Sequence, residues 1–133
     1  MAYLEYRRSQ AEGRMKKRTP EQMLQIAVAQ YLELALPTDA VFTAINPIPA
    51  KSKAAAGLSK VMGLKPGIPD ILITWRGAPY LIELKAKRGK VSDAQLTMIN
   101  RLSSAGASCA VCHSAEAVMG HLIEWGFPLK ARL

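Results

Sequence analysis

Gly67-Ile-Pro-Asp-Ile-Leu-Ile-Thr-Trp-Arg-Gly-Ala-Pro-Tyr-Leu-Ile-Glu-Leu-Lys85 is the stretch whose reading decides the fold. Ile71 to Trp75 and Tyr80 to Leu84 are rich in residues that suit strands, and Arg76-Gly77 between them reads as a tight turn, which together make a β-hairpin. A two-residue turn at 76 and 77 sets Asp70 opposite Glu83, with Cβ atoms roughly 5 Å apart. Lys85 lies two residues beyond Glu83 and so projects from the same face. Ile71, Ile73, Ile82 and Leu84 fall on the other face, toward a core. The pattern predicts two carboxylates and an ammonium side by side at the open end of a hairpin.

Two carboxylates held that close repel, and one pKa rises unless a cation sits between them. Hard oxygen donors suit Mg²⁺ or Mn²⁺. Such an ion polarises a phosphate and lowers the pKa of a bound water. A neighbouring lysine can place that water or stabilise charge in the transition state. The plainer reading of the same residues is a surface ion pair between Glu83 and Lys85, with Asp70 a turn residue.

Outward from the hairpin the chain alternates helices and strands. Toward the N-terminus, Thr19-Pro20-Glu21-Gln22 has a capping residue, a proline suited to the first helical position and a glutamine spaced for a capping box. Met23, Leu24, Ala27, Val28, Tyr31, Leu32 and Ala35 then recur at helical spacing until Pro37. Ala40 to Ile45 reads as a strand. The loop from Asn46 to Gly67 carries a helix over Ala54 to Met62, ended by Gly63, and is basic through Lys51, Lys53, Lys60 and Lys65. Toward the C-terminus a second basic loop holds Lys87, Arg88 and Lys90. A helix then begins at Ser92, where Gln95 is again spaced for a capping box, and runs to Gly106. Strand Ser108 to Cys112 and helix Ala115 to Trp125 follow. This order predicts an α/β protein, helices covering a sheet.

At 133 residues the chain has the length of one domain, and half of its residues are apolar. Its formal net charge of +8 favours a polyanionic partner. Residues 1–18 hold Arg7, Arg8, Arg14, Lys16, Lys17 and Arg18 with little apolar periodicity, as in a mobile or weakly helical basic arm ahead of a domain from 19 to 133. No apolar stretch of signal length or membrane-span length is present, which makes the cytoplasm the expected location and a membrane partner unexpected. Cys109-Ala-Val-Cys-His113 matches a short haem-attachment pattern and half of a zinc site. It lies on an expected strand, however, where residues three apart face opposite ways, and a second cysteine pair is lacking. Both cysteines are read as reduced and packing into the core.

Pro69-Asp70, twelve further residues, then Glu83-Leu84-Lys85 resembles the motif of the PD-(D/E)XK nuclease superfamily. The fuller pattern resembles its VRR-NUC group: a Glu near the start of a first helix (Glu21), Gly-x-Pro-Asp (Gly67 to Asp70), an E-x-K strand, and a Gln in the first turn of the next helix (Gln95). The likeness runs from about Thr19 to Trp125. It is nearest to stand-alone single-domain members, often phage-encoded, that form homodimers and cut branched DNA such as Holliday junctions. It implies a restriction-endonuclease-like mixed sheet flanked by helices, and a Mg²⁺- or Mn²⁺-dependent DNA endonuclease. By the same resemblance Asp70, Glu83 and the Leu84 carbonyl hold the metal, Glu21 completes the site directly or through water, Lys85 is the catalytic lysine, and Gln95 orients a carboxylate, a water or the lysine.

Two of these residues have ordinary alternatives. Glu21 suits a helix dipole, and Gln95 is accounted for by capping with Ser92. Lys51, Lys53, Lys60, Lys65, Lys87, Arg88 and Lys90 fit a DNA backbone, whose phosphates give affinity without sequence preference. The alternatives to catalysis are a non-enzymatic DNA-binding protein retaining a nuclease-like fold, or an accessory protein whose basic surface meets an acidic partner. His113 and His121 are read as core or surface residues.

Overall fold

The computed structural model describes residues 2–11, 17–45 and 51–133. The elements are α1 (Ala2–Ala11), α2 (Pro20–Ala35), β1 (Ala40–Ala44), α3 (Lys53–Val61), β2 (Ile71–Trp75), β3 (Ala78–Leu84), α4 (Asp93–Ser104), β4 (Ser108–Cys112) and α5 (Ala115–Glu124). Part of the basic arm is thus a ten-residue helix; Arg14 and Lys16 lie outside the described residues, as do Asn46 to Ala50 of the first basic loop.

The sheet has the order β1-β2-β3-β4, antiparallel from β1 to β3 and parallel between β3 and β4. The hairpin turn is built as expected. Ile71 pairs with Ile82 and Trp75 with Ala78, so the register carries Asp70 to a place opposite Glu83. Arg76 (φ 49°) and Gly77 (φ 78°) both take the left-handed conformation that a two-residue hairpin turn of this hand needs. The strained Arg76 has compensation: its guanidinium lies 4.7 Å from the Trp75 ring centroid, and Nε is 3.5 Å from Asp39. Helix starts follow their caps. Thr19 with Gln22, and Ser92 with Gln95, form the two reciprocal capping boxes.

One sheet face makes the main core. Ile71, Ile73, Trp75, Ile82, Leu84, Ala110 and Cys112 pack with Val28, Tyr31, Leu32 and Ala35 of α2, Val118 and Leu122 of α5, and Phe127. Phe127 stacks on Trp75 at 4.4 Å between ring centroids. On the opposite face Leu81, Glu83 and Met98 are buried, Met98 being on α4. Leu72 on that face is only partly buried and Thr74 is exposed. The sheet is therefore covered fully on one side and partly on the other. Cys112 is fully buried in the main core, whereas Cys109, on the opposite face, is half-buried and not a core residue. No helix among the described residues is long and apolar enough to cross a membrane.

Candidate active site

The site lies where β2 begins and β3 ends. Backbone pairing continues one step past each strand: Asp70 N donates to the Ile82 carbonyl (3.1 Å), Ile45 N to the Asp70 carbonyl (2.8 Å) and Lys85 N to the Cys112 carbonyl (3.0 Å). Asp70 and Lys85 thus belong to the sheet rather than to the loops that adjoin it. The Asp70 carboxylate accepts a hydrogen bond from the Leu84 amide at 2.7 Å through Oδ2. That bond holds the side chain across the hairpin, beside Glu83.

Glu83 is the one charged residue in the buried set among the described residues, with 3% of its surface exposed. Its Oε1 accepts from Gln95 Nε2 at 2.8 Å and lies 3.7 Å from Lys85 Nζ. Its Oε2 is buried and has no hydrogen-bond partner among the described residues. A buried acceptor without a donor is costly, on the order of 1–3 kcal/mol and more for a charged group. Burial raises the pKa of both carboxyls. For Glu83 the charge of Asp70 adds to burial and Lys85 opposes them, and the outcome is a pKa pushed up to about 7. For Asp70 the Leu84 amide bond opposes the rise, but burial prevails. A proton kept by Glu83 is in position to be shared with Asp70, the state to which two crowded carboxyls relax in the absence of a cation.

Gln95 does at once the two things that the sequence left as alternatives. Its Oε1 accepts from Ser92 N at 2.9 Å, which closes the capping box, and its Nε2 donates to Glu83. Capping therefore fixes the amide that faces the carboxylate. Glu21 stands at the rim, at the start of α2. Its charge raises both carboxyl pKa values. A Cβ placed on Gly89 would lie 3.4 Å from Glu21 Oε1 and from Lys85 Cδ, so the second basic loop folds against both side chains. Among the described residues no three His, Cys, Asp or Glu side chains are grouped closely enough to cage an ion, which leaves Glu21 outside the inner pair.

Lys51, Lys53, Lys60, Lys65, Lys87, Arg88 and Lys90 are all exposed. Lys87 and Arg88 sit in a tight turn closed by Gly89 N donating to the Ala86 carbonyl at 2.8 Å, beside the site. The sequence reading missed two features. The first is the depth of Glu83, which follows from α4 lying over that face of the sheet. The second is the part played by Gly67. It has φ +76°, and a Cβ there would fall 2.3 Å from the Ala94 carbonyl oxygen and 2.7 Å from Gln95 N. The residue before Ile68-Pro69-Asp70 thus seats the first turn of α4, and with it Gln95. A glycine before x-Pro-Asp was visible in the sequence, but its neighbour in space was not.

A four-stranded mixed sheet flanked by helices, with an aspartate, a glutamate and a lysine gathered at one hairpin, defines a nuclease-type fold. The model of the VRR-NUC domain family matches residues 7–116, and the chain belongs to that family. The match begins earlier and ends earlier than the likeness read from the motifs. Solved structures that are similar include the following two. One, described as a VRR_NUC domain protein, is 23% identical, with 82% of this chain and 89% of that chain covered and a TM-score of 0.63. Another, a VRR_NUC domain, is 23% identical, with 80% and 97% covered and a TM-score of 0.54. At that identity the likeness establishes the shared fold. No curated protein matches.

Proposed function

We propose that this chain is a divalent-metal-dependent DNA endonuclease that hydrolyses phosphodiester bonds in branched or otherwise opened duplexes, four-way junctions among them. The observation that carries the reading is Glu83: a buried carboxylate with one oxygen unpartnered, crowded by Asp70 and faced by Lys85. A site that meets such crowding by retaining a proton, even with Lys85 beside it, is poised to exchange the proton for a cation. The donor set is hard oxygen, which fits Mg²⁺ or Mn²⁺. Asp70 and Glu83 would hold the ion, with the Leu84 carbonyl as a further donor and Glu21 acting from the rim through water. When bound, the ion supplies polarisation of the phosphate and acidification of a water.

The remaining work falls to the chain's own groups. Gln95 Nε2, donating to Glu83 Oε1, fixes the carboxylate and leaves Glu83 Oε2 for the ligand. Lys85, its ammonium held against Glu83, stabilises charge that develops on the phosphate. The exposed lysines and Arg88 bind the DNA backbone without reading sequence. A homodimer, implied by the family resemblance, would place two such sites across a branch point.

The test is cleavage of a four-way junction and of linear duplex with Mg²⁺. Cutting by the parent, with loss in Asp70→Ala and Lys85→Ala, is expected. If the parent cuts neither DNA, or if the variants match it, the proposal fails. Sedimentation of the free protein tests the dimer.

A further inference from the structure

α3 differs from α2, α4 and α5: it buries no residue. Leu58, Val61 and Met62 are 60%, 86% and 78% exposed. At 100° per residue Ala54, Leu58 and Val61 share one side of the helix, and Lys53 and Lys60 adjoin one another on a second side. A nine-residue helix is too short to be stable in water on local propensity alone. Surface that a packed core would normally use to hold such a helix is here turned outward, and a bound partner is what would use it.

Charge indicates which partner. From Ala40 to Pro69 the chain has no acidic residue, and it has four lysines, Lys51, Lys53, Lys60 and Lys65. A second copy docked on this face would set the same lysines against one another with no acidic residue to offset them, a repulsive pairing, whereas a polyanion is attracted. The outside of an intact duplex offers phosphates and sugars but little for aliphatic side chains. Bases that are unstacked at a fork or junction do offer apolar faces, and Leu and Met are among the apolar side chains that proteins pack against unstacked base steps. Place supports the same partner. Only four residues lie between Met62 and Gly67, which is seated against the first turn of α4, so the C-terminal end of α3 is tethered within about 18 Å of Gln95's helix.

We infer that α3 is the element that reads DNA opening: Lys53 and Lys60 meet phosphates while Leu58, Val61 and Met62 contact unpaired bases beside the site. This rests on the nuclease reading, since it names the substrate of that site.

The experiment measures binding in EDTA, so that cleavage plays no part, of the full chain to a labelled Y-fork and to a fully paired duplex of equal length. For Val61→Ser/Met62→Ser we expect about a tenfold loss on the fork and less than twofold on the duplex. Lys53→Ala/Lys60→Ala should weaken both DNAs alike. The serine variant should melt with the parent, because the replaced side chains are exposed. Equal loss on both DNAs, no loss on the fork, or a parent that prefers neither DNA would overturn the inference. So would sedimentation showing that the serine variant dissociates a dimer, since the face would then belong to a second copy. A parent that binds the fork through α3 but cuts nothing in Mg²⁺ would sink the nuclease reading and leave this one standing.

Discussion

Replacing Gly67 by alanine tests whether the segment before Asp70 sets the position of Gln95. The added Cβ would lie 2.3 Å from the Ala94 carbonyl oxygen, 2.5 Å from its carbon and 2.7 Å from Gln95 N. All three are backbone atoms, so no side chain can swing aside, and the first turn of α4 must retreat by roughly 1 Å to reach ordinary contact. Gln95 Nε2 is now 2.8 Å from Glu83 Oε1, and a retreat of that size takes the pair beyond hydrogen-bond reach. The left-handed conformation costs about 1–2 kcal/mol for a residue with Cβ, and the overlap adds about 1–3 kcal/mol, for a total of roughly 2–5 kcal/mol. In a domain of this size that lowers Tm by about 6–20 °C.

Gly63→Ala is the control. Gly63 also has positive φ (+105°), but an added Cβ meets nothing within 4 Å. It should lose only the conformational part, about 1–2 kcal/mol. Thermal melts compare the two variants, and Mn²⁺ calorimetry at a temperature where both are folded reads the site. We expect Gly67→Ala to be the less stable and to bind Mn²⁺ more weakly, with Gly63→Ala binding as the parent does. Equal melting losses, or unchanged Mn²⁺ binding in Gly67→Ala, would refute the reasoning.

Further expectations concern the site itself. The raised pKa of Glu83 means that the folded, metal-free protein holds a proton that the unfolded chain gives up above about pH 4.5; stability should therefore fall as pH rises from about 4.5 to about 7 and then level off. Glu83→Gln should flatten that slope in urea titrations done in EDTA; an unchanged slope would place the titration elsewhere. Because an ion must displace that proton, Mn²⁺ affinity should climb by up to about tenfold per pH unit below pH 7 and plateau above it, as calorimetry in matched buffers can read. Lys85→Ala should lower the single-turnover cleavage rate by about 10²–10³-fold while leaving DNA affinity nearly intact; a loss confined to binding would make Lys85 a phosphate contact instead. Ser92→Ala removes a cap and should cost about 1 kcal/mol with Mn²⁺ binding preserved, whereas Gln95→Ala should impair both. Equal Mn²⁺ binding by those two variants would reduce Gln95 to a cap.

Much of this was legible in the chain as written, because the relevant physics is local. Hairpin register depends on the length of a turn, and Arg76-Gly77 is enough to place Asp70 opposite Glu83. Period-two alternation divides β3 between its faces, and cap residues mark where α2 and α4 begin. The carboxylate pair, the lysine beyond it and the side of the sheet that becomes core all follow from those short-range rules. What the local pattern left open was the environment of each group. Whether Glu83 meets solvent or is buried depends on which helix lies over its face, and α4 does so through a contact between Gly67 and Ala94, residues 27 apart in sequence. Only that packing turns a pair of acids on a strand into a buried carboxylate with an unpartnered oxygen, joins Gln95's capping bond to its bond with Glu83, and leaves α3 with its apolar side uncovered. Desolvation is a property of the assembled surface, so it belongs to the tertiary structure alone.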